Sequence, residues 1–182
     1  KILIEEGKKE GIVLDMTCGK GYDSKFILEN LKPKKLYAFD VQEMSRDKSK
    51  ETLGVFPDNF TFILDNHKNL DKYVKEEIDL AIFNLGYLPS SDKTITTNYR
   101  EVIEALEKIL KNSSKTSMII ITFYPGHPEG KKESIHVEDY LRELPQKDYS
   151  IMKYDFINQK NNPPYVIKII KKWTYNWKIP GI

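Results

Sequence analysis

The sequence contains little cysteine and no long apolar runs. Cys18 is the single cysteine among 182 residues, so the chain cannot form an internal disulfide or build a zinc site from cysteines. No unbroken apolar run exceeds four residues, far below the roughly 18 that a membrane-spanning helix needs. We therefore expect no membrane partner, no metal site and a reducing, cytoplasmic environment.

Net charge is also small. The chain has 29 Lys and Arg against 27 Asp and Glu, a formal charge of +2, which by itself does not indicate a nucleic-acid partner. The distribution is uneven, because the part after Asp155 has no acidic residue. It does contain five lysines: Lys160, Lys168, Lys171, Lys172 and Lys178. This stretch predicts a basic edge that is either only solvated or in contact with phosphates.

The overall composition is that of a globular protein. Hydrophobic residues make up 40% and charged residues 31% of the chain, and its length predicts one domain with its own core. No repeat, low-complexity tract or linker divides the sequence. We therefore treat residues 1–182 as a single domain.

Apolar, β-branched runs alternate with polar or amphipathic stretches. The runs at 12–17, 35–41, 60–65, 78–85 and 117–124 predict strands, and helices are predicted at 22–31 and 98–110. This alternation predicts a doubly wound, mostly parallel α/β sheet. The runs at 149–158 and 165–173 are joined by too few residues for a crossover helix, so they predict an antiparallel hairpin. Seven strands in this order resemble the Rossmann-like class I methyltransferase fold.

A glycine loop follows the first predicted strand. Gly19 and Gly21 allow a tight turn and a close approach of the backbone to a ligand. A nicotinamide site usually adds a third glycine for helix packing, where this chain has Ser24. Asp15 and Asp23 flank the loop and would repel a pyrophosphate, but they suit a ligand with an ammonium and a sulfonium. The loop therefore favours S-adenosylmethionine over a dinucleotide.

The second and third strands also end in polar residues. Asp40 closes the second strand, where a carboxylate can accept hydrogen bonds from both ribose hydroxyls, and Gln42 could add a contact. Asn66 and His67 follow the third strand, where a contact to an adenine edge is expected. A structural role for His67 in the loop remains an equal alternative. These features indicate a nucleoside ligand without naming it.

The fourth strand ends in Asn84-Leu85-Gly86-Tyr87-Leu88-Pro89. The amide oxygen of Asn84 could accept a hydrogen bond from a target amine and so direct the nitrogen lone pair. The segment resembles the Asn-Pro-Pro-Tyr motif of amino-methylating enzymes, with Leu85 and Gly86 in place of the prolines. Asn84 is therefore the main catalytic candidate, and methyl transfer at nitrogen is chiefly a problem of positioning.

Longer motifs make the resemblance specific. The stretches NLGYLP, DKTITT, YPGHPEGK and FINQ-x-N-x-PP are similar to successive motifs of a bacterial class I S-adenosylmethionine-dependent methyltransferase family. That family was formerly labelled rRNA methylase, and it contains the tRNA 5-(aminomethyl)-2-thiouridine methyltransferase. The similarity extends over nearly the whole chain. Lys20 stands where the family often has Asn, and Ser90-Ser91 where it often has Gly-Gly.

The resemblance implies a cofactor, an acceptor and a set of residues. It implies S-adenosylmethionine bound by Asp15, Thr17, Gly19, Gly21, Asp40 and Gln42. It also implies a target amine near Asn84, on a wobble uridine in a tRNA anticodon loop. If the topology is right, residues that follow the fourth, fifth and sixth strands surround the same site. The candidates for substrate contacts are Tyr87, Lys93, Thr97, Asn158 and Gln159.

His127 is the near-neutral proton acceptor among these groups. An alkyl amine titrates near 10 by analogy with lysine, so it must lose a proton before it attacks. His127 is predicted as the base or as an orienter of the amine, and bracing of its own loop is the alternative.

Other functions remain open on sequence grounds. The same fold could methylate ribosomal RNA, a protein or a small amine. A nucleotide-binding oxidoreductase would share Gly19, Gly21 and Asp40 but would not explain Asn84 or the hairpin. A non-catalytic cofactor-binding or RNA-binding module is the third possibility. An exposed sheet edge makes a homodimer plausible.

Overall fold

The structure, a computed structural model, describes residues 10–85 and 98–172. Within these residues, seven strands form one sheet in the order β3-β2-β1-β4-β5-β7-β6. The strands are β1 Ile12–Asp15, β2 Lys35–Asp40, β3 Phe60–Leu64, β4 Ile78–Leu85, β5 Ser113–Phe123, β6 Tyr149–Tyr154 and β7 Tyr165–Lys171. The first five pair in parallel, and β7 pairs antiparallel with both β5 and β6.

Four α-helices and one 3₁₀ helix connect the described strands. They are α1 Tyr22–Asn30, α2 Glu43–Leu53, the 3₁₀ helix His67–Lys72, α3 Tyr99–Lys111 and α4 Pro128–Arg142. None of the helices within residues 10–85 and 98–172 has the length and apolar character that a bilayer crossing requires.

Apolar side chains cover both faces of the sheet. One cluster packs α3 and α4 against alternate strand residues such as Leu14, Phe83 and Ile121. The other packs α1 against the opposite set, including Val13 and Ile120. Because successive strand residues point to opposite faces, strands covered on both sides must be apolar throughout. This explains why β4 and β5 consist of nearly continuous apolar runs.

The predicted fold class is confirmed, but some strand ends and helices differ from the prediction. Strand β5 begins at Ser113 instead of 117, and β6 ends at Tyr154 instead of 158. Helix α2 was not predicted, because its sequence EMSRDKSKETL has almost no apolar face and periodicity cannot reveal it. It is held instead by the buried hydroxyl residues Ser45 and Ser49. Helix α1 begins after its N-cap residue, Gly21, which has a φ of 78°. The prediction of Asp23 or Ser24 as the cap was therefore wrong by two or three residues.

The C-terminal basic edge differs from its prediction. Lys168 is only 3% exposed and lies over the ring of Tyr154 at 5.8 Å, so it is not a solvated phosphate contact. Lys171 donates through Nζ to the backbone oxygen of Ser113 at 2.9 Å, at the start of β5. Since ligands of α/β sheets bind beyond the carboxyl ends of the parallel strands, Lys171 lies at the opposite end of the sheet. Lys160 lies in the β6–β7 connection, and Lys178 is outside the described residues.

Candidate active site

One cavity of about 860 Å³ opens beyond the carboxyl ends of the parallel strands. Its size falls in the range of small-molecule sites. Most of the predicted site residues in the described part of the chain line it. These are Thr17, Gly19, Asp23, Asp40, Gln42, Asn66, His67, Asn84 and His127. The doubly wound topology therefore brings together loops that are far apart in sequence.

The glycine loop is shaped by its own hydrogen bonds. Gly21 needs its positive φ, and a Cβ added there would lie 2.9 Å from the Cβ of Ser49 on α2, so helices α1 and α2 approach closely at this point. Asp15 Oδ1 accepts the N–H of Thr17 at 3.2 Å and Oδ2 accepts the hydroxyl of Ser24 at 2.6 Å. Bonds within the chain thus fix the shape of the loop.

The carboxyl group of Asp15 is buried. Burial raises the pKa of Asp15 to about 7, with the neighbouring charges of Asp23 and Asp40 acting in the same direction. Burial likewise raises the pKa of the Cys18 thiol, which keeps it neutral and unreactive. A cationic ligand beside Asp15 would favour its ionised form, so this part of the site is suited to positive charge.

Asp40 fastens the end of β2 to the glycine loop. Its Oδ2 accepts the N–H of Gly19 at 2.8 Å, and its Oδ1 accepts the N–H of Gln42 at 2.9 Å. An ionised carboxylate has further acceptor sites, so these bonds leave capacity for hydroxyl groups of a ligand. Gln42 itself is the N-cap residue of α2.

Residues of the loop after β3 make hydrogen bonds and packing contacts within the chain. The Asn66 side chain accepts the N–H of Lys68 at 3.0 Å and donates to Glu101 at 2.8 Å. His67 is buried, packs edge-on against Phe83 at 5.8 Å, and has no hydrogen-bond partner for Nε2 in the structure of the described residues. Burial lowers the pKa of His67 to about 4. Its ring is therefore neutral.

Asn84 is bound on both its backbone and its side chain. Its N–H donates to Thr17 Oγ1 at 2.8 Å, which joins the end of β4 to the glycine loop. Its side-chain Nδ2 donates to Asp23 Oδ2 in the first turn of α1. Because an ionised carboxylate only accepts, this contact leaves the amide Oδ1 of Asn84 as an acceptor for a ligand.

His127 begins helix α4. Its Nδ1 accepts the N–H of Gly130 at 3.1 Å, and its Nε2 lies 2.7 Å from where a Cβ on Gly130 would stand. The imidazole thus packs on the first turn of its own helix, as the bracing alternative expected. A proton-accepting role for His127 stays a prediction.

Among the predicted residues that the structure describes, Asp15, Gly21, Asn158 and Gln159 are absent from the cavity lining. Tyr87, Lys93 and Thr97 lie outside the described residues. Asn158 and Gln159 are exposed in the β6–β7 connection and are absent from the lining. Their predicted contacts with a substrate are untested.

Thirteen of the described lining residues were not among the predicted sites, and two tyrosines and two asparagines are notable among them. Tyr22 and Tyr124 are 67% and 41% exposed, and Asn161 and Asn162 line the cavity with positive φ values of 66° and 50°. Asn is among the residues that tolerate this conformation. The Asn-Asn-Pro-Pro turn was the available signal, because it predicts a fixed loop, but its place in the fold was needed to locate it.

Known proteins resemble the chain over most of its length. The family model described as Putative rRNA methylase matches residues 36–170. The chain is 29% identical to the chloroplastic tRNA (mnm(5)s(2)U34)-methyltransferase of Arabidopsis thaliana, over 87% of this chain and 63% of that protein. It is 38% identical to ribosomal RNA small subunit methyltransferase H of Cytophaga hutchinsonii, over 65% of this chain and 41% of that protein. The chain therefore spans less than two thirds of these relatives.

Solved structures match more completely. SMU.1697c from Streptococcus mutans, in complex with SAH, has a TM-score of 0.83 and 37% identity, with 93% of each chain covered. A putative rRNA-methylase from Clostridium thermocellum has a TM-score of 0.87 and 32% identity, covering 93% of this chain and 92% of that one. The predicted family resemblance is confirmed: this chain belongs to the family described as Putative rRNA methylase.

Proposed function

We propose that this protein is an S-adenosylmethionine-dependent N-methyltransferase acting on tRNA. Its acceptor would be the 5-aminomethyl group of 2-thiouridine at the wobble position, which becomes 5-methylaminomethyl. One observation carries the proposal: Asp23 holds the Asn84 amide at the cavity so that Oδ1 can accept from an amine. The name of the Arabidopsis relative supports the choice of acceptor.

S-adenosylmethionine is the cofactor that fits the cavity lining. The relative from S. mutans was solved with SAH. In this chain, the glycine loop would lie against the positively charged end of the cofactor, with Thr17 and Gly19 in the cavity lining and Asp15 buried outside it. Asp40 would take the ribose hydroxyls. Near the adenine, Asn66 and His67 line the cavity.

The residues of the chain prepare the acceptor. When bound, S-adenosylmethionine supplies a methyl group on a sulfonium that a nitrogen lone pair can displace. Asn84 Oδ1 would accept an N–H of the amine and direct the lone pair, while the Thr17 bond to the Asn84 backbone keeps this residue in place. Such positioning supplies a large part of the catalysis of a reaction between two bound molecules.

The electrostatics of the cavity favour an alkyl amine over a base amine. The acidic lining residues are Asp23, Asp40, Asp65 and Glu101, whereas Lys20 is the one lysine or arginine among the described lining residues. Glu101 is paired with Lys68 at 2.7 Å, which leaves the aspartates as the main field. An alkyl ammonium is charged at neutral pH, but an exocyclic base amine is not. The cavity therefore suits the aminomethyl group.

Ribosomal RNA is the second candidate substrate. The similarity to ribosomal RNA small subunit methyltransferase H favours it, at 38% identity over 126 residues. An oxidoreductase and a non-catalytic module share the glycine loop but give Asn84 and Asp23 no role. Either RNA would present its target in an accessible, unpaired loop most readily.

The test is nucleoside mass spectrometry after reaction in vitro. Transfer RNA that carries 5-aminomethyl-2-thiouridine is incubated with the protein and S-adenosylmethionine, and ribosomal RNA from the same cells is treated in parallel. We expect a gain of one methyl group on the tRNA nucleoside. Methylation of the ribosomal RNA alone would refute the proposed acceptor. Cofactor binding without transfer to either RNA would favour the non-catalytic module.

A further inference from the structure

An alkyl ammonium must lose a proton before its nitrogen can attack. Its pKa lies near 10 by analogy with lysine, so a proton acceptor close to Asn84 would raise the rate at neutral pH. The described lining residues that could accept a proton from an ammonium include the two histidines and the acidic side chains. Their contacts decide which of them could act.

Neither histidine is well placed for this step. His127 Nδ1 accepts the N–H of Gly130, and its Nε2 is buried against the same turn of α4. His67 lies at the end of β3, packed against Phe83, whereas Asn84 is tied to α1 and the glycine loop. The contacts of both imidazoles are thus with residues other than Asn84.

Asp23 shares a hydrogen bond with Asn84. Its Oδ2 accepts from Asn84 Nδ2, and its Oδ1 forms no hydrogen bond with any described residue. The carboxylate lines the cavity from the first turn of α1. A group bound to Asn84 Oδ1 would therefore lie next to this carboxylate.

The surroundings of Asp23 favour uptake of a proton. Burial raises the pKa of Asp23, and the hydrogen bond from Asn84 opposes this rise. The titratable groups facing it are Asp15 on β1, Cys18 in the glycine loop and Tyr124 after β5. Burial lowers the pKa of an ammonium while it raises that of a carboxyl, so the two values approach each other in the cavity.

We propose that Asp23 is the proton acceptor for the target amine, and that the same carboxylate orients the Asn84 amide. This inference rests on the proposed function. One N–H bond of the ammonium breaks, and its electron pair remains on nitrogen as the lone pair. The proton forms an O–H bond at Asp23 Oδ1, which neutralises the carboxylate. The acid then returns the proton to water.

The test compares Asp23→Asn with Glu29→Gln, which removes a carboxylate from an exposed position near the other end of α1. The rate constant for methyl transfer is measured from pH 6 to pH 10 with saturating tRNA. We expect Asp23→Asn to lower the rate at pH 7 by roughly 100-fold. The rate of Asp23→Asn should then rise tenfold per pH unit toward pH 10, because the ammonium must lose its proton to the solvent. Glu29→Gln should follow the wild-type profile.

Two further measurements separate this role from binding or folding. Calorimetry of S-adenosylmethionine binding should give Asp23→Asn a dissociation constant within about threefold of wild type; a loss beyond tenfold would assign Asp23 to the cofactor instead and overturn the inference. Asp23→Glu, which keeps a carboxylate, should restore a wild-type-like pH dependence. A uniform loss of rate at every pH in Asp23→Asn would also overturn it.

His127→Asn tests the alternative that His127 is the proton acceptor. Asparagine can keep the N-cap of α4. We expect the rate of His127→Asn to fall at low pH as the wild-type rate does, whatever its absolute value. Disappearance of that fall in His127→Asn, with Asp23→Asn unaffected, would overturn the inference in favour of His127. A wild-type protein inactive on the tRNA would refute the proposed function and this inference together; an active wild type with an unchanged Asp23→Asn profile would refute the inference alone.

Discussion

The two sides of the cavity differ in how their polar groups are satisfied. On the glycine-loop side, side chains bind backbone and one another: Asp40 holds Gly19 and Gln42, and Thr17 holds Asn84. On the side of the β6–β7 connection, the side chains extend into solvent. There Phe156 and Ile157 are 56% and 102% exposed.

This difference suits two kinds of ligand. A small cofactor gains affinity when its site is formed in advance, because little conformational entropy is lost on binding. A large RNA covers exposed side chains and can order them when it binds. We therefore expect changes on the glycine-loop side to alter chemistry, cofactor binding and stability. Changes at positions of the β6–β7 connection outside the cavity lining, such as Ile157, should alter only RNA affinity.

The largest effect is expected for Asn84→Ala, at the meeting point of the two sides. The substitution keeps the backbone bond to Thr17 but removes the amide that would direct the amine. Turnover should fall roughly 100-fold, while the dissociation constant of S-adenosylmethionine stays within a few-fold. Single-turnover kinetics and calorimetry measure the two quantities. Loss of cofactor affinity with unchanged turnover at saturation would place Asn84 in the cofactor site instead.

Asp40→Ala should weaken cofactor binding by more than tenfold. The change strands the N–H groups of Gly19 and Gln42 and removes the acceptor for the ribose hydroxyls. Calorimetry with S-adenosylmethionine measures the effect, and Asp47→Ala, at an exposed position on α2, is the control. An unchanged dissociation constant would show that the glycine-loop side does not depend on this bond pair.

Asp15 should make the ligand-free protein less stable as pH rises. The folded-state pKa is raised from 3.8 to about 7, so the native state retains a proton that the unfolded chain has released. The free energy of unfolding should therefore fall between about pH 4 and pH 7, by about 1 kcal/mol from pH 5.5 to pH 6.5.

Urea unfolding of wild type and Asp15→Asn at these two pH values measures the effect. The slope should be smaller in Asp15→Asn, which cannot titrate at this position, and Glu29→Gln should retain the wild-type slope. Equal slopes in all three proteins would contradict the buried-charge interpretation.

The smallest effect is expected for Ile157→Ser in the β6–β7 connection. The residue is fully exposed, so its loss should not change the melting temperature. It should raise the KM for tRNA about threefold through lost apolar contact. Val55→Ser, at a 92% exposed position after α2, is the matched control. A lowered melting temperature for Ile157→Ser would show that this connection is already packed and not completed by RNA.

Much of the fold could be predicted from local patterns. Buried strands leave continuous apolar runs, and the short 159–164 connection required an antiparallel hairpin. Helix α2 escaped because its polar sequence has no apolar stripe and its contacts run through Ser45, Ser49 and the close approach at Gly21. The basic C-terminal edge was misjudged because charge counts carry no information about burial, and Lys168 is buried.

The candidate site divides in the same way. Glycine loops and polar residues at strand ends could be located in the sequence, because parallel strands bring their carboxyl ends to one edge of the sheet. The sequence could not assign roles to Asp23 and His127, since the first depends on a bond to a residue 61 positions away. Homodimer formation through a sheet edge stays a prediction.

By itself, the sequence determined the doubly wound α/β class, the acidic glycine loop and the position of Asn84 at the end of β4. These features follow from periodicity, backbone freedom and residue chemistry along the chain. Tertiary structure alone decided which side chain holds the Asn84 amide, which histidine caps a helix and which lysine is buried. The physical reason is that hydrogen bonding and burial depend on neighbours in space, and the doubly wound sheet chooses those neighbours from distant parts of the chain.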